Sequence, residues 1–361
     1  MEWNRRQLIG FSSLGLPVAW INRSAAASAP TPPAPKHIII DTDPGVDDAV
    51  SILFAFHSPE VVVDALTVVA GNVDAETGSR NARLLAELGG HPEIPVSVGA
   101  VRPLRREVIT AKIYHGANGI GDLQLPEPKK KLDTRHAADL IIEHVKAHPG
   151  QISIAAIGPL TNIAIALTKD PSIAREIACL AFMGGTILSN GNTTPVATFN
   201  IYADPEAARI VVNSGIPRII MVGTDVTTKV QFSAQDVFPL DGNKSGHLAA
   251  ELTRFRLRRF ATAQTSGGTP STVGFNDLPA TMALIQEALF TMQPMKVDIE
   301  TRGELTSGMT VANRANRVVT FGPEGDHQTI VGSEPVKPNV DVCVEIDHAR
   351  LKSLFLKRLS A

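Results

Sequence analysis

The chain has 361 residues, of which 43% are hydrophobic and 19% are charged, so it is long enough to bury a large core. Its formal net charge is −2, from 34 basic and 36 acidic side chains. A nearly balanced charge lacks the basic excess that is typical of proteins that bind polyanions, so we expect no nucleic-acid partner.

The N-terminal residues predict an exported bacterial protein. Arg5 and Arg6 precede an apolar stretch that continues to Ile21, and small residues up to Ala29 offer cleavage sites. This pattern is typical of a twin-arginine signal peptide, which predicts residues 1–29 as the signal and a periplasmic location without membrane attachment after cleavage. The alternative, a membrane anchor, needs a longer apolar run, and Pro17 interrupts this one.

The rest of the chain alternates between strand-like and helix-like segments. Residues 30–35 predict a stiff Pro-rich linker, and residues 36–361 predict one large domain. Strands are predicted at 37–42, 61–70, 151–157, 178–183, 218–223, 295–300 and 317–321. Helices are predicted at 46–57, 75–89, 134–147, 160–169, 204–214, 246–264, 278–290 and 347–359. This order indicates an α/β fold with a mostly parallel central sheet and helices on both faces.

Three other features of the sequence bear on the site. Segment 100–133 has no clear periodicity and is predicted to be a surface excursion that reaches the active site. Cys179 and Cys343 lie in apolar, strand-like stretches, and we favour two buried thiols over a disulfide. Both tryptophans, Trp3 and Trp20, belong to the predicted signal peptide, so the mature chain contains none.

Four carboxylates lie within eight residues, directly after the apolar run 37–40 that begins the first predicted strand: Asp41, Asp43, Asp47 and Asp48. Carboxylates this close repel one another, and a fold keeps them ionised only beside a cation or strong hydrogen-bond donors. A hard cation such as Ca²⁺ or Mg²⁺ suits this all-oxygen environment. Because ligands bind at the carboxyl ends of strands in open α/β sheets, we favour a metal site over an acidic, solvated helix cap.

Polar residues also follow other predicted strands, and with the aspartate string they carry a family resemblance. Their order and spacing, from about Lys36 to the C-terminus, resemble those of the inosine-uridine-preferring nucleoside hydrolases. The matching segments are Asp41-Thr42-Asp43-Pro44-Gly45-Val46-Asp47-Asp48, Asn72, His115-Gly116-Ala117-Asn118-Gly119-Ile120-Gly121, Ile157, Asn192, Asn200, Asn276-Asp277 and Gly308-Met309-Thr310-Val311.

The resemblance implies a Rossmann-like catalytic domain over residues 36–361 that hydrolyses the N-glycosidic bond of ribonucleosides to base and ribose. In this family a Ca²⁺ binds the ribose 2′- and 3′-hydroxyls together with the attacking water. The family resemblance also implies a homodimer or homotetramer. A nucleoside or other small ribosyl compound is the expected substrate.

Site residues follow from the same resemblance. The metal ligands would be Asp43, Asp48, Asp277 and the backbone carbonyl of Ile157, and Asp43 would also be the general base. Asp47 would accept a hydrogen bond from the ribose 2′-hydroxyl, and Asp41 would order the loop. The remaining substrate-binding positions would be Asn72, His115, Asn192, Thr198 and Asn200.

Two positions depart from the pattern of better-known members. Thr198 stands where they carry a glutamate that binds the sugar, and Asn276 stands at the catalytic leaving-group position, where they carry a histidine. An amide has no proton to give near neutral pH, so the base needs another route of departure. We therefore expect a preference shifted from inosine and uridine towards purine nucleosides or a modified riboside. Groups that could activate the base instead are Tyr114, Tyr202, Phe199, Phe275, His115 and His247.

The run from Arg254 to Phe260 contains four arginines and indicates a basic helix face exposed to solvent. The alternative is that one arginine receives a phosphate or carboxylate of the substrate. Two rival functions also remain at this point. Asp41-Thr42-Asp43 superficially fits an aspartate-nucleophile phosphatase, and the Thr198 and Asn276 departures fit an exported Ca²⁺-dependent ribosyl-binding protein without turnover.

Overall fold

The apolar residues Ile38, Ile39 and Ile40 form the middle of a central strand and are completely buried. The structure, a computed structural model, describes residues 34–263, 271–324 and 327–361. The predicted signal peptide and residues 30–33 of the predicted linker therefore lie outside the described residues. Within the described part of the chain, no helix is both long enough and apolar enough to span a membrane.

The strands alternate with helices for most of the chain, as the sequence predicts. In chain order the strands are β1 (Lys36–Thr42), β2 (Val61–Val68), β3 (Val96–Val98), β4 (Ile152–Ala156), β5 (Cys179–Met183), β6 (Ile219–Val222), β7 (Gln231–Ser233), β8 (Thr272–Gly274), β9 (Phe290–Ile299), β10 (Thr310–Asn313), β11 (Arg317–Glu324), β12 (His327–Pro335) and β13 (Val340–Ile346).

The helices connect these strands and cover the sheet. They are α1 (Val46–Phe56), α2 (Ala75–Leu88), α3 (Lys112–His115), α4 (Ala137–Ala147), α5 (Thr161–Lys169), α6 (Phe199–Ala203), α7 (Pro205–Val212), α8 (Thr224–Thr227), α9 (Lys244–Ala263), α10 (Asp277–Ile285) and α11 (His348–Leu359). Helices α1, α2, α9, α10 and α11 contribute to one hydrophobic core cluster, and α4, α5 and α7 contribute to another. The sheet therefore has helices on both faces, which confirms the predicted fold class.

The central sheet of the described residues has nine strands in the order β10-β9-β13-β6-β5-β4-β1-β2-β3. Neighbours from β13 to β3 pair in parallel, whereas β9 is antiparallel to both β13 and β10. From β3 to β6 the order is that of a doubly wound sheet. The chain proceeds from β1 through β2 to β3 at one edge, and from β4 through β5 to β6 in the opposite direction. A crevice opens at the carboxyl ends of β1 and β4.

Several local predictions about secondary structure were incomplete or wrong. The helix predicted at 278–290 ends at Ile285, and Phe290 already begins β9. The strand predicted at 317–321 exists, but it pairs only with β12 in a separate two-stranded ribbon. Strand β13 was missed although it occupies an interior position of the sheet. Cys179 and Cys343 are buried free thiols, as we favoured.

Candidate active site

The turn between β1 and α1 is held by the carboxylate of Asp48. Its Oδ1 accepts from the Thr42 hydroxyl at 2.6 Å and from the Asp43 backbone N–H at 3.2 Å. Its Oδ2 accepts from the Gly45 N–H at 3.0 Å, which caps the start of α1. A side chain at Gly45 would meet His115 Nδ1 at 2.5 Å, so this turn needs glycine. The turn thus fixes where the neighbouring aspartates lie.

Asp43 is completely buried at the carboxyl end of β1. Its Oδ2 accepts from the Asn72 backbone N–H at 2.6 Å, while its Oδ1 has no hydrogen-bond partner among the described residues. Gly71 lies against it so closely that an added Cβ would be 2.0 Å from Asp43 Oδ2. One carboxylate oxygen is therefore fixed and the other is available to a ligand.

Asp41 lies on the same strand but ties neighbouring elements together. Its Oδ1 accepts from the Thr67 hydroxyl of β2 at 2.6 Å and from Asn162 Nδ2 of α5 at 2.8 Å. Burial raises the pKa of Asp41 to about 7, against the lowering effect of these two hydrogen bonds. These bonds tie β1 to β2 and α5, and the expected role of Asp41 in ordering the loop stays a prediction.

Three carboxylates converge from two sides of the crevice. One oxygen each of Asp47, Asp48 and Asp277 lies within 4.8 Å of the others, and all three residues are buried. Ligand oxygens about 2.3–2.6 Å from one Ca²⁺ fall within such a span. Asp47 Oδ1 and Asp43 Oδ1 are buried without a hydrogen-bond partner among the described residues. The site therefore fits a hard divalent cation.

The geometric triple differs from the ligand set that the resemblance implies, because it contains Asp47 instead of Asp43. Asp43 is nevertheless adjacent, since its backbone N–H donates to Asp48. The Ile157 carbonyl, the other expected ligand, accepts from Asn200 Nδ2 at 2.6 Å. A carbonyl oxygen has two lone pairs, so one remains for a cation.

A cavity of about 240 Å³ opens beside this cluster and contains most of the expected substrate-binding residues. Asn72 donates through Nδ2 to Asp48 at 2.9 Å, and Asn192 Oδ1 accepts from the Phe199 N–H at 2.7 Å. Larger clefts exist elsewhere, such as one of about 510 Å³ lined by Pro217 and Lys337. The described residues of that cleft include no comparable set of buried carboxylates. The residues that line the smaller cavity include Asp47, Asn72, His115, Asn192, Asn200, Asn276 and Asp277.

Thr198 does not lie where we expected a sugar-binding residue. It is completely buried at the start of α6, and its hydroxyl accepts from the Gly185 backbone N–H at 2.8 Å. Among the described residues it is absent from the cavity lining. Gly185 has a φ of 82°, and its backbone N–H occupies the Thr198 hydroxyl. Thr198 is therefore bound to the backbone at Gly185, at the start of the helix that carries Asn200, and does not line the cavity.

The outer part of the cavity is aromatic. Tyr114 and Phe260 stack with ring centroids 6.0 Å apart, and both line the cavity together with Phe199. The segment 100–133 thus reaches the cavity through α3, as we expected. Tyr202 and Phe275, also considered for stacking, are absent from the described lining.

Two predicted leaving-group residues have defined partners. His115 Nδ1 accepts from the Val46 backbone N–H at 2.9 Å, and this nitrogen is 3.5 Å from Asp47 Oδ1. Asn276 Oδ1 accepts from the Thr227 hydroxyl at 3.0 Å, and the Asn276 backbone N–H donates to Asp47 Oδ2 at 3.4 Å. The His115 side chain, at the end of α3, and the Asn276 backbone, just before α10, therefore flank Asp47.

Arg256 contradicts the prediction of a fully solvated basic helix face. Arg258 and Arg259 are exposed, but only 6% of the Arg256 surface is accessible. Its Nη1 lies 3.1 Å from Asp47 Oδ2, and its guanidinium lies over the rings of Phe260 and Phe275, 5.6 Å from each centroid. Sequence signals could not distinguish it from its neighbours, because its partner lies in the first turn of α1.

The charges in the site are unbalanced without a cation. Burial and the negative charge of Asp48 raise the pKa of Asp43 well above its ordinary value. Burial and repulsion from Asp47 likewise raise the pKa of Asp277. Burial also raises the pKa of Asp47, but Arg256 and His115 outweigh it, so that pKa is lowered. Among the described residues of the site, four buried carboxylates thus lie near one guanidinium, which pairs with Asp47, and a divalent cation would offset most of the excess negative charge.

The fold is that of the nucleoside hydrolases, to which it is similar over about nine-tenths of the chain. Residues 38–353 match the family model described as inosine-uridine preferring nucleoside hydrolase, and the chain belongs to that family. It is therefore an enzyme that hydrolyses N-glycosyl compounds, in a metal-dependent family. This assignment favours neither the phosphatase nor the binding protein without turnover.

The relatives of this chain are named after different substrates. The chain is 39% identical to the pyrimidine-specific ribonucleoside hydrolase RihA of Citrobacter koseri over 326 residues, which are 90% of this chain and 97% of the relative. It is 39% identical to uridine nucleosidase 1 of Arabidopsis thaliana over 299 residues, 80% of this chain and 88% of the relative. A solved purine-preferring ribonucleoside hydrolase from Gardnerella vaginalis superposes with a TM-score of 0.79 and 32% identity, covering 90% of this chain and 98% of that one.

Proposed function

We propose that this protein is a Ca²⁺-dependent ribonucleoside hydrolase that prefers pyrimidine nucleosides, with uridine as the first substrate to test. The observation that carries the proposal is the set of buried carboxylates with unpartnered oxygens beside a cavity lined by four asparagines and an aromatic pair. The names of the two 39% identical relatives support a pyrimidine base.

Asp43, Asp48, Asp277 and the Ile157 carbonyl would hold the Ca²⁺, with Asp47 close enough to contribute. When bound, Ca²⁺ supplies charge neutralisation, a template for the sugar diol and a more acidic water.

Asp43 is the best-placed general base of this site. The Asn72 N–H holds its Oδ2 and leaves Oδ1 free, so the carboxylate has a defined orientation. A buried carboxylate with a raised pKa takes a proton more readily than an exposed one. Asp43 would therefore accept the proton of the attacking water.

Asp47 and the asparagines would act on the sugar. Arg256 keeps Asp47 ionised, so Asp47 accepts a hydrogen bond from a ribose hydroxyl. Its negative charge also stabilises the positive charge that develops on the sugar ring in an oxocarbenium-like transition state. Asn200 and Asn192 also line the cavity, where they can hold the remaining hydroxyls.

The test is a panel of uridine, cytidine, inosine and adenosine with detection of released reducing sugar. We expect ribose release with the highest kcat/KM for uridine or cytidine, and loss on chelation that added Ca²⁺ restores. Asp43→Ala should reduce kcat by about 10²–10⁴-fold, the usual contribution of a general base. The matched control is Asp139→Ala, which removes an exposed carboxylate on α4 that pairs with Lys169.

The outcomes separate the parts of the proposal. Higher activity on inosine or adenosine would reject the pyrimidine preference and favour the shifted preference that Asn276 suggested. Restoration by Mg²⁺ but not by Ca²⁺ would reject the assigned ion. Tight riboside binding without ribose release would contradict turnover itself.

We also propose export to the periplasm and assembly into a homodimer or homotetramer. Export is supported by the twin-arginine pattern at Arg5 and Arg6, and assembly by the family resemblance. Cell fractionation of wild type and an Arg5→Lys, Arg6→Lys variant tests the first proposal. Light scattering of the purified protein tests the second, and a monomeric mass at micromolar concentration would contradict it.

A further inference from the structure

Arg256 has an unusual position for an arginine. It is buried on α9, yet it lines the cavity. Its Nε and Nη1 have no hydrogen-bond acceptor among the described residues, although Nη1 lies 3.1 Å from Asp47 Oδ2. A buried guanidinium with unused donors is costly unless a ligand completes its hydrogen bonds. We therefore expect a substrate atom in the cavity to accept hydrogen bonds from these unused donors.

The location of Arg256 indicates which part of the substrate it meets. Its closest polar neighbour is Asp47, whose Oδ2 also accepts from the Asn276 backbone N–H. Phe260, one turn further along α9, stacks on Tyr114 at the outer part of the cavity. Arg256 therefore lies between the carboxylates, which suit the sugar, and the aromatic pair, which suits a planar base.

The departing base needs such a partner. Asn276 occupies the leaving-group position but has no acidic proton, and His115 uses its Nδ1 to accept from Val46. Among the described residues that line the cavity, Arg256 is the permanent cation. A fixed donor aimed at a developing negative charge lowers the barrier without transferring a proton.

We propose that Arg256 binds the leaving base through its free N–H groups and stabilises it as an anion while the glycosidic bond breaks. This inference rests on the proposed nucleoside hydrolase function and adds a residue for the leaving-group step. The chemical class of the partner is a base with a carbonyl oxygen next to the glycosidic nitrogen, as in the pyrimidine nucleosides.

The step balances without a general acid. The C1′–N bond breaks and its electron pair goes to the base nitrogen, while a water oxygen bonds to C1′. The water proton passes to Asp43, and the base leaves as an anion paired with Arg256. The base then takes a proton from solvent and Asp43 releases its own, so the products are ribose and neutral base.

The experiment compares a poor and a good leaving group in the same active site. Uridine needs stabilisation of its base, whereas p-nitrophenyl β-D-ribofuranoside releases p-nitrophenolate, which is already a stable anion. We expect Arg256→Gln to lower kcat/KM for uridine by about 100–1000-fold, as loss of one transition-state donor does. The p-nitrophenyl riboside should lose far less, and Arg258→Gln, an exposed neighbour on α9, should behave like wild type.

Arg256→Lys is measured in parallel, because Arg256→Gln leaves Asp47 buried without its cation and can destabilise the fold. Lysine retains the charge but not the planar fork, so we expect a smaller selective loss on uridine. Equal losses on both substrates would overturn the inference and assign Arg256 to positioning Asp47, which serves the shared sugar. No loss on either substrate would also overturn it.

Two further outcomes are distinguishable from these. A wild-type enzyme inactive on every riboside would refute the proposed function and the inference with it. A preference for uridine 5′-monophosphate over uridine that disappears in Arg256→Gln would show that the guanidinium receives a phosphate and would overturn the leaving-group role.

Discussion

Gly71→Ala should damage the site through a single methyl group. The new Cβ would lie 2.0 Å from Asp43 Oδ2, 2.8 Å from Asp43 Cγ and 2.9 Å from Pro159 Cδ. Ordinary contacts begin near 3.4 Å, so the carboxylate oxygen has to move by about 1.4 Å. That displacement breaks the 2.6 Å hydrogen bond from the Asn72 N–H.

The magnitude follows from two costs. Overpacking a buried site costs about 1–3 kcal/mol, and a lost hydrogen bond to a charged group has a similar cost, so the free energy of unfolding should fall by about 2–6 kcal/mol. A misplacement of about 1 Å can cost about 100-fold in rate, which we expect here for kcat on uridine.

Urea unfolding, ribose release and Ca²⁺ titration by calorimetry measure the three consequences of Gly71→Ala. The matched control is Gly242→Ala, because no heavy atom lies within 4 Å of its added Cβ. If Gly71→Ala kept wild-type turnover and Ca²⁺ affinity, this would refute the claim that Gly71 holds the Asp43 carboxylate in position. A comparable loss in Gly242→Ala would show that the effect is not specific to the site.

The remaining predictions concern pH, metal and one buried hydroxyl. Burial and Arg256 lower the pKa of His115 to about 4, against the effect of Asp47, whereas an unfolded histidine titrates near 6.5. The unfolded chain therefore binds more protons between these two pH values. The free energy of unfolding should fall by up to about 3 kcal/mol as pH drops from 6.5 to 4. Urea titrations should show that His115→Asn removes this dependence on pH. The pKa values of Asp43 and Asp277 are raised in the folded protein, so the metal-free protein should lose stability as pH rises above 3.8, the pKa of an aspartate in the unfolded chain. The rise in melting temperature caused by Ca²⁺, relative to chelator, should therefore be larger at pH 8 than at pH 5. Thr198→Val should cost about 1–3 kcal/mol of stability by leaving the Gly185 N–H without its acceptor, and a rise in KM without a loss of stability would instead indicate direct sugar contact.

Local sequence signals predicted the cluster of buried carboxylates at the carboxyl end of β1. The string from Asp41 to Asp48 contains its own strand end, turn and helix start, so its geometry depends on residues that are neighbours in the chain. The predicted positions of Asn72, Asn200 and Asp277 also reach the cavity or its floor, because each follows a strand of the same sheet or begins a helix beside it. Whether they perform the expected roles stays a prediction.

The other end of the site depends on contacts between distant segments. Arg256 is buried because α9 places it against Asp47, more than 200 residues earlier, and no periodicity within the helix reports that partner. Thr198 is withdrawn from the cavity because the loop at Gly185 supplies a backbone donor. Similarly, residues 286–290 continue a helical pattern, but pairing with β13 draws Phe290 into a strand.

The double use of Asp48 has a consequence for anyone who wishes to change the ion that this enzyme accepts. Asp48 supplies an oxygen to the carboxylate triple and also accepts from the Gly45 N–H at the start of α1. A substitution there would alter ion selectivity and loosen the helix together, and the two effects could not be separated. Asp277 approaches from α10, so it is the better position for engineering a different coordination sphere while the β1–α1 turn keeps its shape.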